Sequence, residues 1–206
     1  MSTITFPTLT RAAPRVLNFG LRSATQVLES PLTGGVQTAE IPLSARWVMS
    51  FSLSELAEAD DAPLMQAYQI KLRGRANRAA LWNFARPLPQ GTVATSGVTT
   101  SGSTAQGATS CSLAGCGAGA TLLVGDLFAV GGELKMITAN ATANGSGVAS
   151  VSFEPPVRAA AGWSGGASAT LDKPTALFIQ AGDDARWSTR PGKRSDFEFD
   201  FIEVFA

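Results

Sequence analysis

Two segments with strict two-residue periodicity constrain the fold of this chain more than any other feature. In residues 46–53 a large apolar side chain occupies every second position; these residues are Trp47, Met49, Phe51 and Leu53. In the C-terminal segment 196–205, Phe197, Phe199 and Phe201 alternate with acidic residues in the same way. Successive side chains of a strand point to opposite faces, so both segments are predicted to be half-buried antiparallel strands. We expect the C-terminal strand to pair with the sheet of the first third, because a terminal strand is ordered only when it is held.

One helix is predicted, at about 61–73. Asp60 and Asp61 precede a proline in the first turn, as at a capped helix start, and Gly74 follows at a typical stop position. Other extended segments, separated by turns such as Ser30–Gly35 and Gly131–Gly132, are predicted at 22–29, 36–43, 78–84, 122–130, 133–138, 148–153 and 176–179. The chain is therefore predicted to be mainly β with one short α-helix.

The middle third of the chain differs in composition from both ends. Residues 91–171 carry 5 charged side chains among 81 residues, and they open with a run of Gly, Ala, Ser and Thr from Gly91 to Thr121. Such a run predicts a flexible or weakly paired segment that cannot bury a core. We therefore expect a small antiparallel β domain at 91–171, inserted into a domain that 1–90 and 172–206 build together.

Two composition counts exclude broad classes of function. The chain has no histidine, which removes His-dependent catalytic triads and the usual zinc sites. Lysine plus arginine equals aspartate plus glutamate at 16 each, which argues against a basic nucleic-acid-binding protein. No segment has the roughly 18 apolar residues that span a bilayer, and the N-terminus has no signal-peptide pattern. We expect no enzyme activity, no cofactor and no metal.

The two cysteines, Cys111 and Cys116, lie in the middle third with four residues between them. In an oxidising compartment they could form a disulfide across a small loop, and in the cytosol they would remain thiols. A redox centre is the weaker interpretation, because no neighbouring charge would lower a thiol pKa.

The charged candidates each have a plain structural interpretation. Asp60–Asp61 could be a pair of metal-binding or catalytic carboxylates, but their position at a helix start favours a capping role. Asp183–Asp184 fits a turn better than a calcium-binding loop. One cationic cluster could face nucleic acid, but an exposed helix end or a salt-bridge surface between subunits fits a neutral chain better. Its members are Arg73, Arg75, Arg78 and Arg86.

The tryptophans divide into core and surface candidates. Trp47 lies on the apolar face of its strand and is predicted to be buried. Trp163 and Trp187 lie in polar, glycine-rich surroundings and are predicted to be exposed. Exposed aromatic residues suit either a protein interface or a carbohydrate platform, and we favour the interface.

Several motifs together resemble the distal tail proteins found at the baseplate of long-tailed bacteriophages. The motifs, which span most of the chain, are Ser30-Pro-Leu-Thr-Gly, Arg46-Trp-x-x-x-Phe-x-Leu, Lys-Leu-Arg-Gly74, Leu81-Trp82, Ala85-Arg-Pro-x-Pro-x-Gly91, Val124-Gly-Asp-Leu-Phe and Val148-x-x-Val-x-Phe-x-Pro-Pro-Val-Arg158. None of them is catalytic.

The resemblance implies a tail-tube-like β-sandwich or split barrel with one flanking helix, assembled as a ring of six. It implies a virion protein, assembled in the host cytoplasm, with the tube protein, the baseplate hub and receptor-binding proteins as partners. Alternatives are another tube-like component (tube, terminator or head–tail joining protein) and a glycan-binding tail module. A wall hydrolase would need paired carboxylates, and Glu133 and Glu154 are the only glutamates of the insert.

Overall fold

The structure is a computed structural model that describes residues 1–10 and 13–205. These residues form one α-helix, α1 (Ala62–Leu72), and seventeen short strands. The strands are β1 Thr3–Thr5, β2 Val16–Arg22, β3 Thr25–Glu29, β4 Val36–Glu40, β5 Arg46–Ala57, β6 Arg78–Leu81, β7 Thr99–Thr100, β8 Ser110–Ala114, β9 Thr121–Leu122, β10 Leu127–Val130, β11 Glu133–Ile137, β12 Ala141–Thr142, β13 Ala149–Glu154, β14 Ala169–Thr170, β15 Ala176–Gln180, β16 Trp187–Arg190 and β17 Arg194–Glu203. The predicted class, mainly β with one short helix, is confirmed.

The first sheet joins strands from both ends of the chain. Its order is β1-β6-β15-β17-β5-β2, and β16 also pairs with β17. β1 and β6 run parallel, and the other neighbours are antiparallel. The C-terminal strand β17 lies between β15 and β5, so its predicted pairing with the first third is confirmed.

The alternating residues of β5 and β17 build the core of this sheet. The buried ones are Trp47, Met49, Phe51, Leu53, Phe197, Phe199 and Phe201. Phe51 and Phe199 are direct register partners, and their rings stack with centroids 5.0 Å apart. On the opposite face of β17, Glu198 and Asp200 are exposed. The period-two pattern therefore marks the buried face correctly.

Helix α1 covers the core face of the sheet. Met65, Tyr68 and Leu72 are buried, and the ring edge of Tyr68 approaches the rings of Phe6 and Phe199. The hydroxyl of Tyr68 is buried without a hydrogen-bond partner. Burial raises the pKa of Tyr68 well above its usual range.

The helix ends differ in one respect from the prediction. Asp61 occupies the N-cap position, but its carboxylate makes no cap hydrogen bond and accepts the Thr10 N–H at 2.9 Å instead. The side-chain cap is therefore not formed, because a neighbouring segment takes the carboxylate. The helix ends at the left-handed residue Arg73 (φ 50°), and Gly74 follows with φ 61°. An added Cβ at Gly74 would lie 2.9 Å from the Asp183 backbone, so glycine is required there.

The insert forms a second sheet with its own core. The strand order is β14-β10-β11-β13-β8-β7, and β9 pairs separately with β12. The predicted Gly131–Gly132 hairpin is confirmed: it connects β10 to β11, and both glycines have positive φ. Phe128, Phe153 and Trp163 form an aromatic cluster inside this sheet.

The prediction that Gly91 to Thr121 cannot bury a core is wrong. This run contributes side chains to the insert core that are almost inaccessible to solvent, among them Val98, Leu113 and Cys116. Short strands β7 and β8 alternate with glycine turns, so a few spaced apolar residues suffice to reach the core. Composition hides this arrangement, because small residues dominate the average.

A buried ion pair connects the insert to the first sheet. Arg158 binds Glu203 at 2.7 Å, and the two side chains are only 7% and 2% exposed. Arg158 also donates to the carbonyl of Ala45 at 2.8 Å, while Glu203 accepts the backbone N–H of Trp47 at 2.9 Å. The Arg158 guanidinium lies 3.7 Å from the ring centroid of Phe205. We call this cluster of Arg158, Glu203 and Phe205 the joint.

A second ion pair, within the insert, fixes the approach of Arg158. Glu133 binds Lys135 at 2.7 Å and also accepts the backbone N–H groups of Arg158 and Ala159. Burial favours a higher pKa for Glu133, but these hydrogen bonds outweigh it and hold the pKa below its usual value. Lys135 donates to the carbonyl of Pro156 at 2.7 Å, so both charges are satisfied.

Apolar packing continues across the joint. Leu127, Ala129 and Leu134 of the insert belong to the same buried cluster as Trp47 of the first sheet. The indole N–H of Trp47 donates to the carbonyl of Leu134 at 2.9 Å. The two sheets are therefore held together by a shared core as well as by charge.

Candidate assembly surfaces

The hairpin of β3 and β4, residues 24–41, stands apart from both larger sheets, and we call it the arm. Its strands form a two-stranded sheet of their own, and every residue of both strands is exposed. Large apolar side chains are among them: Val27 is 59% exposed, Val36 62%, and Leu32 at the tip 95%. A two-stranded hairpin alone is marginally stable in water, and exposed apolar groups of this size mark interaction surfaces.

The two faces of the arm differ in chemistry. The cross-strand pairs Thr25↔Glu40, Val27↔Thr38 and Glu29↔Val36 lie on one face. This face, which we call the carboxylate face, has Val27 in its central pair and Val36 opposite Glu29 at the tip end, so the two valines lie diagonally across the strands, with one glutamate towards each end. The opposite face carries Gln26, Leu28, Gln37 and Ala39.

The base of the arm is fixed to the first sheet. The arm continues the β2–β5 hairpin, and at its base Ile41 N donates to Ala24 O at 3.0 Å, while Ala24 N donates to the Ser44 hydroxyl at 3.2 Å. Five paired residues at about 3.4 Å each give the arm a reach of roughly 17 Å. The tip is the predicted turn at Ser30–Gly35, which is confirmed by hydrogen bonds between Ser30 and Gly34 and between Ser30 and Gly35.

A trough of about 800 Å³ lies on the outer face of the first sheet. One row of direct cross-strand neighbours runs through it, from Gly20 on β2 through Val48 and Ile202 to Ile179 on β15. Because Gly20 has no side chain, the row begins with an open position. An added Cβ there would meet only Val48, at 3.9 Å. The trough therefore has an apolar floor with room at one end.

The polar groups of the trough surround this apolar row. Asn18 donates to the Ser50 hydroxyl at 3.1 Å, and Asp200 is the register partner of Ser50. Arg22 and Arg75 also line the trough. The lining of the trough therefore contains two cationic side chains and one carboxylate, Asp200.

The predicted arginine cluster does not form a single surface. Arg75 turns to the 181–183 loop, where it donates to the carbonyl of Ala181 and lies 3.6 Å from the Asp183 carboxylate. Arg78 is half-buried, and its Nε is buried without a partner. Arg86 lies against the insert, where an added Cβ on Gly125 would be 2.3 Å from its guanidinium. Of the four arginines of the predicted cluster, Arg75 alone lines the trough.

The two tryptophans predicted to be exposed are placed differently. Trp163 is 4% exposed and stacks on Phe153 in the insert core, so the prediction is wrong for this residue. The polar sequence around it comes from turns that close over its ring. Trp187 is 38% exposed on β16, and its ring lies over Phe197. A carbohydrate platform formed by this pair of tryptophans is therefore excluded.

Cys111 and Cys116 are buried free thiols in the insert core. Burial, with a smaller contribution from Cys116, raises the pKa of Cys111 to about 12. Burial also raises the pKa of Cys116. Both thiols are held in the protonated form, which suits packing and disfavours nucleophilic chemistry.

The carboxylates considered for catalysis have separate positions. Glu133 is occupied by Lys135 and two backbone amides, whereas Glu154 is exposed at the end of β13. Within residues 1–10 and 13–205, no group of three or more Cys, Asp or Glu side chains is arranged to hold a metal ion.

The sequence predicts the two strands of the arm, but their full exposure is seen only in the structure. A signal was present: residues 24–41 contain five large apolar residues and two glutamates, with no lysine or arginine. The trough has no signal of this kind, because its row combines four strands that are far apart in sequence.

Over the described part of the chain, no helix has the length and apolar character needed to cross a membrane. In sequence comparisons, no protein-family model matches this chain, and no curated protein matches it significantly.

Proposed function

We propose that this chain is a structural subunit at the distal end of a bacteriophage tail. Its copies close a ring, with six as the expected number, that connects the tail tube to the baseplate or tail-tip hub. The body formed by the first sheet and α1 is the tail-tube-like part of each subunit. The proposal rests on the sequence motifs described above and on one structural observation, the arm.

The arm is the structural observation behind the proposal because it exposes large apolar side chains to solvent. Val27, Leu32 and Val36 are more than half exposed, whereas Trp47, Phe51 and Phe199 of the body are buried. Covering such side chains contributes about 25 cal/mol per Å² of apolar surface. A hairpin that reaches into a neighbouring copy gives a head-to-tail contact, and contacts of this type close rings when the rotation between copies permits it.

Another tube-like tail component (tube, terminator or head–tail joining protein) would use the same kind of contact. The insert favours the tail tip among these, since a bare tube subunit needs no outward domain. A glycan-binding module is supported less well, because Trp163 lies in the core and only Trp187 is exposed.

Light scattering of the purified protein over a range of concentrations tests the assembly. We expect the mass to rise towards six times the chain mass of 21.3 kDa. The double variant Val27→Asp/Val36→Asp should remain a monomer, because it replaces both apolar side chains of the carboxylate face with charges. The matched control, Gln26→Asp/Gln37→Asp on the opposite face, should assemble as the wild type does.

Two results would count against the proposal. A wild-type protein that stays monomeric at its solubility limit would exclude a self-assembling ring. Antibodies against the protein that label the head end of intact tails, and not the distal end, would exclude the tail-tip position while leaving another tail component.

A further inference from the structure

We propose that the carboxylate face of the arm docks in the trough on the outer sheet face of a second copy of the chain. This inference rests on the proposed function, and it adds the surface that receives the arm. It assigns the outer face of β2, β5, β17 and β15 as an interaction site, and it names the occupant.

The apolar parts of the two surfaces match. The carboxylate face has Val27 at its centre and Val36 diagonally across from it towards the tip, and the trough floor has the row Val48, Ile202 and Ile179. The missing side chain at Gly20 leaves space at one end of this row. Aliphatic and β-branched side chains facing one another across two stacked sheets pack as they do between the layers of a β-sandwich.

The charges of the two surfaces are opposite. Glu29 and Glu40 are the charged residues of the arm and lie on the carboxylate face, whereas the trough is lined by Arg22 and Arg75. Arg75 is also close to Asp183, but this pair is mostly exposed to solvent. A guanidinium has five N–H donors, so Arg75 can bind a second carboxylate without losing the first partner.

Asp200 is exposed and is the one carboxylate among the lining residues of the trough, so a docked arm that covers it has to replace water with a donor. The carboxylate face supplies two hydroxyl groups, on Thr25 and Thr38. Asn18 and Ser50 in the same row as Asp200 add further donors and acceptors. The two arginines and Asp200 of the trough therefore have partners of suitable chemistry on the arm.

The arm and the trough are different surfaces of the same chain, so their contact is heterologous. Each copy would offer one arm and one trough, and a chain of copies stops growing only when the last trough receives the first arm. This property leads to a test by complementation of two defective variants.

One variant removes the arm surface, Val27→Asp/Val36→Asp, and another fills the trough, Gly20→Glu. Gly20 does not have positive φ and its Cβ position is open, so the substitution is compatible with the fold. Arg22→Glu, at an exposed position, is a second trough variant in case Gly20→Glu fails to fold. Circular dichroism and thermal melting establish that each variant is folded before its mass is measured.

We expect each variant alone to be monomeric by light scattering. An equal mixture of an arm variant and a trough variant should form a dimer of one copy each, about twice 21.3 kDa, that does not grow with concentration. The intact arm of the trough variant then occupies the intact trough of the arm variant, and no second contact is available.

The outcomes separate this inference from the proposed function. If folded trough variants assemble as the wild type does, or if the mixture stays monomeric while the wild type assembles, the trough is not the receiving surface and the ring proposal stands. If the wild type itself remains monomeric at every concentration, both proposals are wrong.

Discussion

Arg158 and Glu203 show how single residues determine the geometry of this molecule. Their side chains are 7% and 2% exposed, and every contact between them crosses from the insert to the first sheet. Burial raises the pKa of Glu203, and the Arg158 charge opposes this effect. A buried pair of this kind adds little net stability over an apolar contact, but the loss of one partner leaves a charge without compensation.

Glu203→Gln tests the joint. Because the substitution leaves the buried Arg158 charge unpaired, we expect the free energy of unfolding to fall by about 3 kcal/mol. Urea unfolding followed by far-UV circular dichroism measures the change. The matched control is Glu55→Gln, which breaks the exposed pair with Arg15 and should cost no more than about 0.5 kcal/mol. Equal effects of the two substitutions would show that the joint is not a buried ion pair.

At the scale of elements, periodicity was a reliable guide where each strand keeps one face in the core. Strand β5 and strand β17 follow the predicted alternation closely, and α1 lies within one residue of its predicted bounds. The predictions are wrong where contacts between residues distant in sequence determine whether a side chain is buried. Trp163 and the run Gly91 to Thr121 are polar or small in their local sequence, but distant strands bury them.

Phe199→Asp tests the central strand. A carboxylate at this position would lie among stacked rings with no cationic partner, so we expect the variant to fail to fold and to be recovered as insoluble protein. The control is the neighbouring Glu198→Lys, which changes a charge by two units on the exposed face and should stay within about 0.5 kcal/mol of the wild type. A soluble, native Phe199→Asp protein would remove β17 from the core.

Of the two candidate surfaces, the sequence predicts the strands of the arm but not the trough. The arm strands and their turn were predicted, since Gly and Pro mark the turn and both strands are local. The trough could not be predicted, because Gly20, Val48, Ile202 and Ile179 become neighbours only through sheet pairing. In the sequence, only the charge of Arg75 marks it as a candidate. Its position at the trough follows from the end of helix α1 at Arg73.

At the scale of the whole molecule, the first sheet and the insert share part of one core. Leu127 and Leu134 pack with residues of the first sheet, and Trp47 donates a hydrogen bond across the boundary. The division of the chain at 91 and 171 remains a prediction from composition.

Differential scanning calorimetry tests this coupling. We expect one unfolding transition for the monomeric Val27→Asp/Val36→Asp variant, with equal calorimetric and van't Hoff enthalpies, because neither part can lose the other without exposing apolar surface. A change in pH or salt should shift the transition without splitting it. Two resolved transitions would show that the insert and the first sheet unfold independently.

The joint also has a mechanical consequence. A flexible linker of glycine and serine would let the insert change its orientation, and it would extend before any force on the insert reached the first sheet. Here a load applied to the insert passes through Arg158 into Glu203, at the end of the central strand β17, and so into the hydrogen-bonded ladder on both sides of it. We therefore expect a force on the insert to reach the sheet that carries the arm without first being taken up by a flexible tether.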